Sequence, residues 1–340
     1  MKTINNVKVA FGQLTPVLFD KKATVQKVCD AILEAAGNGA RIMLFPEAFI
    51  GGYPRKMRMD MFLGQRTLKS RKAYRHYYEG SAIFVPGEET EAIGQAAAQA
   101  GMYVVIGVTE KEQGNSTLYC TALYFGPDGR LLGKHRKLRP SGMERLIWGV
   151  GDGSTLPVID TPYGKIGAVI CRESQMILLR AAMYAKGVRI LLVPTLDDTP
   201  SWQRSLRFIA HEGRCFLVAC CPYWTRDDYP KDHVCYNELE EHDHVIIGGG
   251  SAIASPLGEY VVEPVYNAER IGYADLDLGE IEEARFDFDP VGHYNRPDIF
   301  QLHVNETKQQ GFFFYQDKPS GVIACEEDCL KKDGNDGTEG

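Results

Sequence analysis

Three short stretches carry residue types suited to nucleophilic chemistry. Cys171 follows the apolar run Ile166-Gly-Ala-Val-Ile170 and precedes a helical pattern, which puts its sulfur at the end of a buried strand beside a helix N-terminus. Free N–H groups and the positive dipole end favour thiolate there, the state in which a cysteine attacks carbon. A cysteine at a strand end also serves as a packing residue, so its company matters. Glu47 closes the apolar run Arg41-Ile-Met-Leu-Phe-Pro46. Desolvation of such a carboxylate raises its pKa toward that of a general base for the thiol, although a helix cap or salt bridge explains it as well. Lys137 ends a strand, and Glu144 lies seven residues later, past Pro140 and Gly142. A cation and a carboxylate brought together in this way stabilise an anionic tetrahedral species and orient a proton carrier. The plainer alternative is a structural salt bridge.

Other signals are weaker. Gly149-Val-Gly151-Asp-Gly153 lacks the spacing of a dinucleotide fingerprint, and Gly248-Gly-Gly250-Ser251 lacks the Lys-Ser/Thr of a phosphate loop. His242-Asp-His244 sits in a charged segment and Cys325-x3-Cys329 stands isolated near the C-terminus, so no metal site is expected. No Gly-x-Ser-x-Gly elbow of an α/β-hydrolase occurs.

The elements that must position these residues follow from periodicity. Strands are expected over 7–14, 41–46, 103–108, 165–170, 189–193, 215–220, 246–254, 260–263 and 271–276. Helices are expected over about 25–36, closed by Gly37, and over 91–100, 175–186 and 202–212. Gly126-Pro-Asp-Gly129 is a hairpin turn. Strands and helices alternate in both halves, which suggests two α/β layers packed sheet to sheet in one domain. The basic stretch from Arg55 to Arg75 is expected to form a solvated face or subunit contact, with substrate gating as the alternative, and residues 222–245 a long surface loop. Beyond residue 305, Phe312-Phe-Phe-Tyr315 is expected to be buried, against a partner if not within the chain, and Lys331 to Gly340 to be disordered.

Composition bounds the rest. The 340 residues are 44% hydrophobic and 24% charged, as in an ordinary folded domain. The formal net charge of −7 argues against a nucleic-acid binder. No apolar run approaches the roughly 18 to 20 residues that span a bilayer, and the first residues lack a signal-peptide pattern, so a cytoplasmic location is expected. The nine cysteines lie mostly in apolar stretches and read as reduced core thiols.

Taken together, the sequence resembles the nitrilase branch of the carbon-nitrogen hydrolase superfamily from about Val7 to Val304. Three stretches carry the resemblance in family order: Phe45-Pro-Glu47-Ala-Phe-Ile-Gly-Gly-Tyr-Pro54, Arg136-Lys137-Leu-Arg-Pro-Ser-Gly-Met-Glu144-Arg145 and Val169-Ile-Cys171-Arg-Glu173. Trp148-Gly-x-Gly-Asp-Gly-Ser154, Ala182-Met-Tyr-Ala-Lys-Gly187, Ile209-Ala-His-Glu-Gly-Arg-Cys-Phe216, Ser251-x4-Pro256-Leu-Gly258 and Gly292-His-Tyr-Asn-Arg-Pro297 support it. The flavour is that of plant and bacterial nitrilases, including those acting on β-cyanoalanine.

The resemblance implies a four-layer αββα sandwich over residues 1–304, with 305–340 a C-terminal tail that is partly disordered or held at an oligomer contact. It implies Cys171 as nucleophile, Glu47 as base, Lys137 as stabiliser of the intermediate and Glu144 as a second carboxylate. Tyr53, Arg172, Glu173 and Thr195 are the expected substrate contacts. The implied reaction turns a small organic nitrile into its acid and ammonia through a thioimidate and a thioester, without cofactor or metal. Amide production, amidase activity or a catalytically impaired assembly scaffold are the alternatives. The implied partners are the nitrile and further copies of the chain, as a homodimer or larger spiral, with no nucleic acid or membrane. One position departs from the family: the usual Trp after the nucleophile is Arg172, expected to favour thiolate and to shift preference toward polar or anionic nitriles.

Overall fold

The computed structural model describes residues 5–309. In chain order the first half supplies β1 (Asn6–Gln13), α1 (Lys21–Gly37), β2 (Ile42–Leu44), α2 (Leu68–Gly80), β3 (Ala82–Phe84), α3 (Glu88–Ala100), β4 (Tyr103–Lys111), β5 (Leu118–Phe125) and β6 (Leu131–Arg136). The second supplies β7 (Val158–Thr161), β8 (Gly164–Ala168), α4 (Ile177–Ala185), β9 (Val188–Pro194), α5 (Pro200–Gly213), β10 (Phe216–Cys220), β11 (Tyr223–Thr225), β12 (Val245–Gly248), β13 (Ala252–Ala254), β14 (Tyr260–Val262), β15 (Arg270–Asp277) and α6 (Gly279–Ala284).

Strand alternation builds the layers. One sheet runs β15-β1-β2-β4-β5-β6 with β3 also on β4, and the other runs β14-β13-β10-β9-β8-β7. Val7, Val9, Phe11, Ile42, Leu44 and Val105 point from the first sheet into a shared core with Ile166, Ala168, Ile190, Leu192, Phe216 and Val218 of the second. The intervening residues Ala10, Met43, Val104 and Ile106 face the other way, onto α1 and α3. Leu191, Val193 and Leu217 likewise meet α4 and α5. Because successive strand residues face opposite sides, runs apolar at every position become strands covered on both faces, and the result is the expected αββα sandwich. Asp20 caps α1 by accepting from the Ala23 N–H, and Pro200 opens α5, where its missing N–H costs nothing.

One interruption in the first sheet matters for chemistry. β2 pairs with β4 at Tyr103–Val105 and β3 pairs with it at Thr109–Lys111, which leaves a gap around Gly107. The turn after β2 fills it: Gly107 N donates to Pro46 O at 3.0 Å and Phe49 N donates to Gly107 O at 2.8 Å. Glu47 is thereby held by backbone bonds in the plane of the sheet.

Several sequence expectations change. The helix expected from 175 begins at Ile177, because Cys171–Gln175 forms a 3-10 turn. The single strand expected over 246–254 is two strands in different sheets, turned at Gly249 and Gly250, whose φ of +85° and +82° suit residues without a Cβ. The expected surface loop at 222–245 is built into the body: it carries β11 and buries Trp224, Tyr229, Cys235 and Leu239. Its Glu238 carboxylate accepts from the backbone N–H groups of Arg58, Met59 and Asp60, so a charge-rich segment ties down the basic one. Phe312 to Tyr315, Cys325, Cys329 and Lys331 to Gly340, for which the sequence raised expectations, lie outside the described residues.

A Cβ at Gly107 would come 2.5 Å from Glu47 Cα and 2.7 Å from Ala48 N, and closer still to Pro46 O. Gly107→Ala is therefore expected to cost about 1–3 kcal/mol, read by denaturant unfolding, and to move Glu47 enough to lower kcat. Unchanged stability and turnover would show that the turn gives way freely.

Candidate active site

Glu47, Lys137 and Cys171 each follow a strand end, β2, β6 and β8 respectively, and the stacking of the two sheets brings those ends together. Lys137 Nζ lies 2.6 Å from Glu47 Oε1, with both side chains fully buried, and 2.9 Å from Glu144 Oε2. Glu144 Oε2 also accepts from Ser141 N at 2.7 Å, which closes the turn that carries it. The ring of Trp148 flanks Lys137 at 5.6 Å, and Tyr53 packs on that ring. Burial pushes Glu47 up despite the attraction of Lys137, and the carboxylate in turn holds Lys137 charged. Only one oxygen of Glu47 is occupied, by Lys137 and by the Cys120 thiol at 3.5 Å; Oε2 is buried without a hydrogen-bond partner. A basic oxygen with a free lone pair is what a proton acceptor needs.

Cys171 stands at the start of its 3-10 turn with φ +52°, a left-handed conformation that carries its side chain off the strand end and is strained for a residue with a Cβ. The expectation of a resting thiolate does not hold. Burial, followed by the Glu47 carboxylate, pushes the thiol up to about 12, against the pull of Lys137, the Thr195 hydroxyl and the Leu196 N–H. A short turn has little dipole to offer, and desolvation wins. Arg172 does not reverse this, because its Nη2 pairs with Asp197 Oδ2 at 3.0 Å and its side chain stays 56% exposed. The thiol therefore needs a base when it reacts.

A cavity of about 480 Å3 opens over the sulfur, lined by Tyr53, Arg55, Ser141 to Glu144, Cys171, Arg172, Leu196, Asp197 and Thr199. A larger, more apolar groove runs beside it along Phe62, Leu63 and Tyr74 and shares Met143, but it holds no nucleophile. Of the expected substrate contacts, Tyr53 and Arg172 line the cavity, and Thr195 is buried against the sulfur, bonded to Asp197 N.

Glu173, expected as a substrate contact, is fully buried outside the cavity lining, and its carboxylate accepts from His135 Nε2 at 2.8 Å, Ile170 N at 2.9 Å and Leu138 N at 2.5 Å. It is a clamp. Ile170 precedes the nucleophile and Leu138 follows Lys137, so one carboxylate locks the two strand ends in register. His135 Nδ1 meets Thr155 O at 2.6 Å. With an acceptor at each ring nitrogen, both must carry hydrogen, and the residue is an imidazolium paired with Glu173 in the interior. The pair holds Glu173 below and His135 above the usual range.

Sequence reasoning missed Arg55, Asp197, Cys120 and His135. Arg55 follows Gly51-Gly-Tyr-Pro54 directly, a signal masked by the basic run behind it, and His135 directly precedes Arg136-Lys137.

The carbon-nitrogen hydrolase family model matches residues 8–286. The chain is 51% identical over 299 residues to an aliphatic nitrilase of Sinorhizobium fredii, covering 88% of this chain and 96% of that protein. It is 47% identical over 304 residues to a bifunctional nitrilase/nitrile hydratase of Lupinus angustifolius, covering 88% and 86%. Among solved structures, Saccharomyces cerevisiae Nit3, of the nitrilase superfamily, is similar in fold with a TM-score of 0.67 at 23% identity, covering 87% of this chain and 99% of that one.

The buried pair sets a pH window. Glu173, depressed below its reference of 4.5, stabilises fully above that value and less as pH falls through its folded pKa; His135, raised above its reference of 6.5, stabilises fully below that value and less as pH rises through its folded pKa. Glu173→Gln is expected to cost about 3–5 kcal/mol, most between pH 4.5 and 6.5, in denaturant unfolding across pH. A loss independent of pH would show that the pair is not ionic.

Proposed function

The chain belongs to the carbon-nitrogen hydrolase family and is a nitrilase, a hydrolase acting on carbon-nitrogen bonds other than peptide bonds, and we propose that the cavity over Cys171 turns a nitrile into its carboxylic acid and ammonia with Glu47, Lys137 and Glu144 as partners. The observation that carries this assignment is the free Oε2 of Glu47 in the same buried cluster as a neutral thiol and a charged lysine.

As Sγ attacks the nitrile carbon, Glu47 Oε2 takes the thiol proton and passes it to the nitrile nitrogen, which gives a thioimidate and leaves the carboxylate ionised. Lys137 stabilises the negative charge that develops on nitrogen, and it does so in a dry site where charge interactions are strong. Water then adds with Glu47 as base, leaving a tetrahedral carbon that bears sulfur, hydroxyl and amine. Protonation of the amine and loss of ammonia give the thioester. A second water, activated by the same carboxylate, releases the acid and returns the proton to sulfur. Glu144 keeps Lys137 bonded and charged through the cycle. If the tetrahedral carbon expels sulfur instead, amide leaves; the relative that carries both activities in its name supports this as a second outcome.

A cytoplasmic place of work fits the seven free cysteines among the described residues. No helix there is long and apolar enough to cross a membrane. Self-association as a homodimer or longer spiral is supported by exposed Ile177 and Leu178 on α4 and Phe208 on α5.

Ammonia release with chromatographic product identification, on aliphatic, aryl and β-cyanoalanine nitriles beside their amides, tests the assignment. Acid and ammonia are expected from nitriles, with no detectable turnover by Cys171→Ala and a loss of about 100-fold or more in Glu47→Gln. The acid limb of kcat/KM should lie above the ordinary carboxylate value of 4.5, because Glu47 is raised and must be ionised to act. Amide as main product would favour the second outcome, and silence from folded protein would return the scaffold reading.

A further inference from the structure

Two guanidinium groups stand in the wall of the reaction cavity with most of their hydrogen-bonding capacity unused. Arg55 and Arg172 both line it. A guanidinium carries five N–H donors in a rigid planar fork. The ion pairs made here are Arg172 Nη2 to Asp197 Oδ2 at 3.0 Å and a looser contact of Arg55 Nη2 to Asp198 Oδ1 at 3.6 Å. Arg55 Nε is buried without a partner.

The facing carboxylates, by contrast, each already take a donor from the protein on at least one oxygen. Asp197 Oδ1 accepts from both the N–H and the hydroxyl of Thr199, while its Oδ2 takes Arg172. Asp198 Oδ2 accepts from Gly248 N. Glu144, the remaining carboxylate of the cavity, is bonded to Lys137 and Ser141 N. The unmet demand in this wall is for an acceptor, and for one that matches a planar fork. A buried donor without a partner is costly, so a ligand that satisfies it gains more than a surface contact does. Carboxylate is the group whose two oxygens fit such forks bidentately.

We propose that Arg55 and Arg172 form a carboxylate subsite, so that the preferred substrates are nitriles carrying a carboxylate at the end remote from the reacting carbon. This deepens the nitrilase assignment and rests on it. Asp197 and Asp198 act as positioning residues that aim the guanidinium groups at the cavity. A guanidinium after the nucleophile then has a use that an indole would not serve: it reads the substrate's charge and leaves the sulfur's ionisation to Glu47.

The full-length protein is assayed on short ω-cyanocarboxylates beside their methyl esters and the alkyl nitriles of equal length. The expected kcat/KM favours the anion over its ester by at least about tenfold. In Arg172→Trp and, separately, Arg55→Gln, that ratio should fall by a similar factor, chiefly through KM for the anion. Neutral nitriles hydrolysed at least as well as anions, with the ratio unmoved in both variants, would overturn the subsite and leave the nitrilase assignment standing. Calorimetry on Cys171→Ala reads the subsite without turnover: the ω-cyanocarboxylate should bind at least about tenfold tighter than its ester. Equal binding would overturn the proposal even if no nitrile were turned over, while preferential binding without turnover would uphold it and count against the catalytic assignment alone.

Discussion

A lysine and a glutamate fully buried at 2.6 Å from each other are the constraint around which this molecule is arranged. Desolvating two charges costs several kcal/mol for each ion, and the interior tolerates them only when geometry and further hydrogen bonds are good. Here Lys137 has a second carboxylate in Glu144. One oxygen of Glu47 is left unmatched, and that gap in the hydrogen-bond network is the feature on which the proposed mechanism draws. A fully satisfied pair would be a better structural element and a poorer base.

Keeping such a cluster in place demands rigid supports from both sheets. Glu47 is held by the gap in the first sheet at Gly107, and Cys171 by a strained turn just past the end of β8 in the second. The two sheets meet through side-chain packing, which constrains position less tightly than strand pairing does. Glu173 removes that slack by accepting from the backbone on both sides of the site, with its charge balanced by His135. Burial raises the thiol, so it stays protonated at rest and would need a neighbouring base to ionise.

Much of the fold was legible in the chain. Apolar runs such as those at Val7, Ile42 and Ile166 lie inside the strands found, and the Pro-Asp-Gly turn joins β5 to β6 as expected. Legibility failed where a local pattern has two tertiary solutions. The run from Ile246 to Ala254 holds only apolar residues and glycines apart from Ser251, and its periodicity does not mark that Gly249 and Gly250 send it from one sheet to another. The charge-rich segment before it looked solvated because Glu238 and the backbone it binds are about 180 residues apart.

The same division runs through the site. Residue type and order pointed to the four groups proposed to react, since thiol, paired carboxylates and ammonium suit one another chemically. The roles of the residues around them were decided only in three dimensions. Arg172 and Glu173 are neighbours in the chain, yet the turn that begins at Cys171 sends Glu173 inward to a histidine from the other sheet and Arg172 outward to Asp197. The protonation of the thiol followed burial rather than its neighbours in sequence, and Arg55 reached the cavity from a stretch that read as surface. Desolvation and side-chain direction depend on what packs across the sheets, and a linear chain does not contain that information in its local spacing.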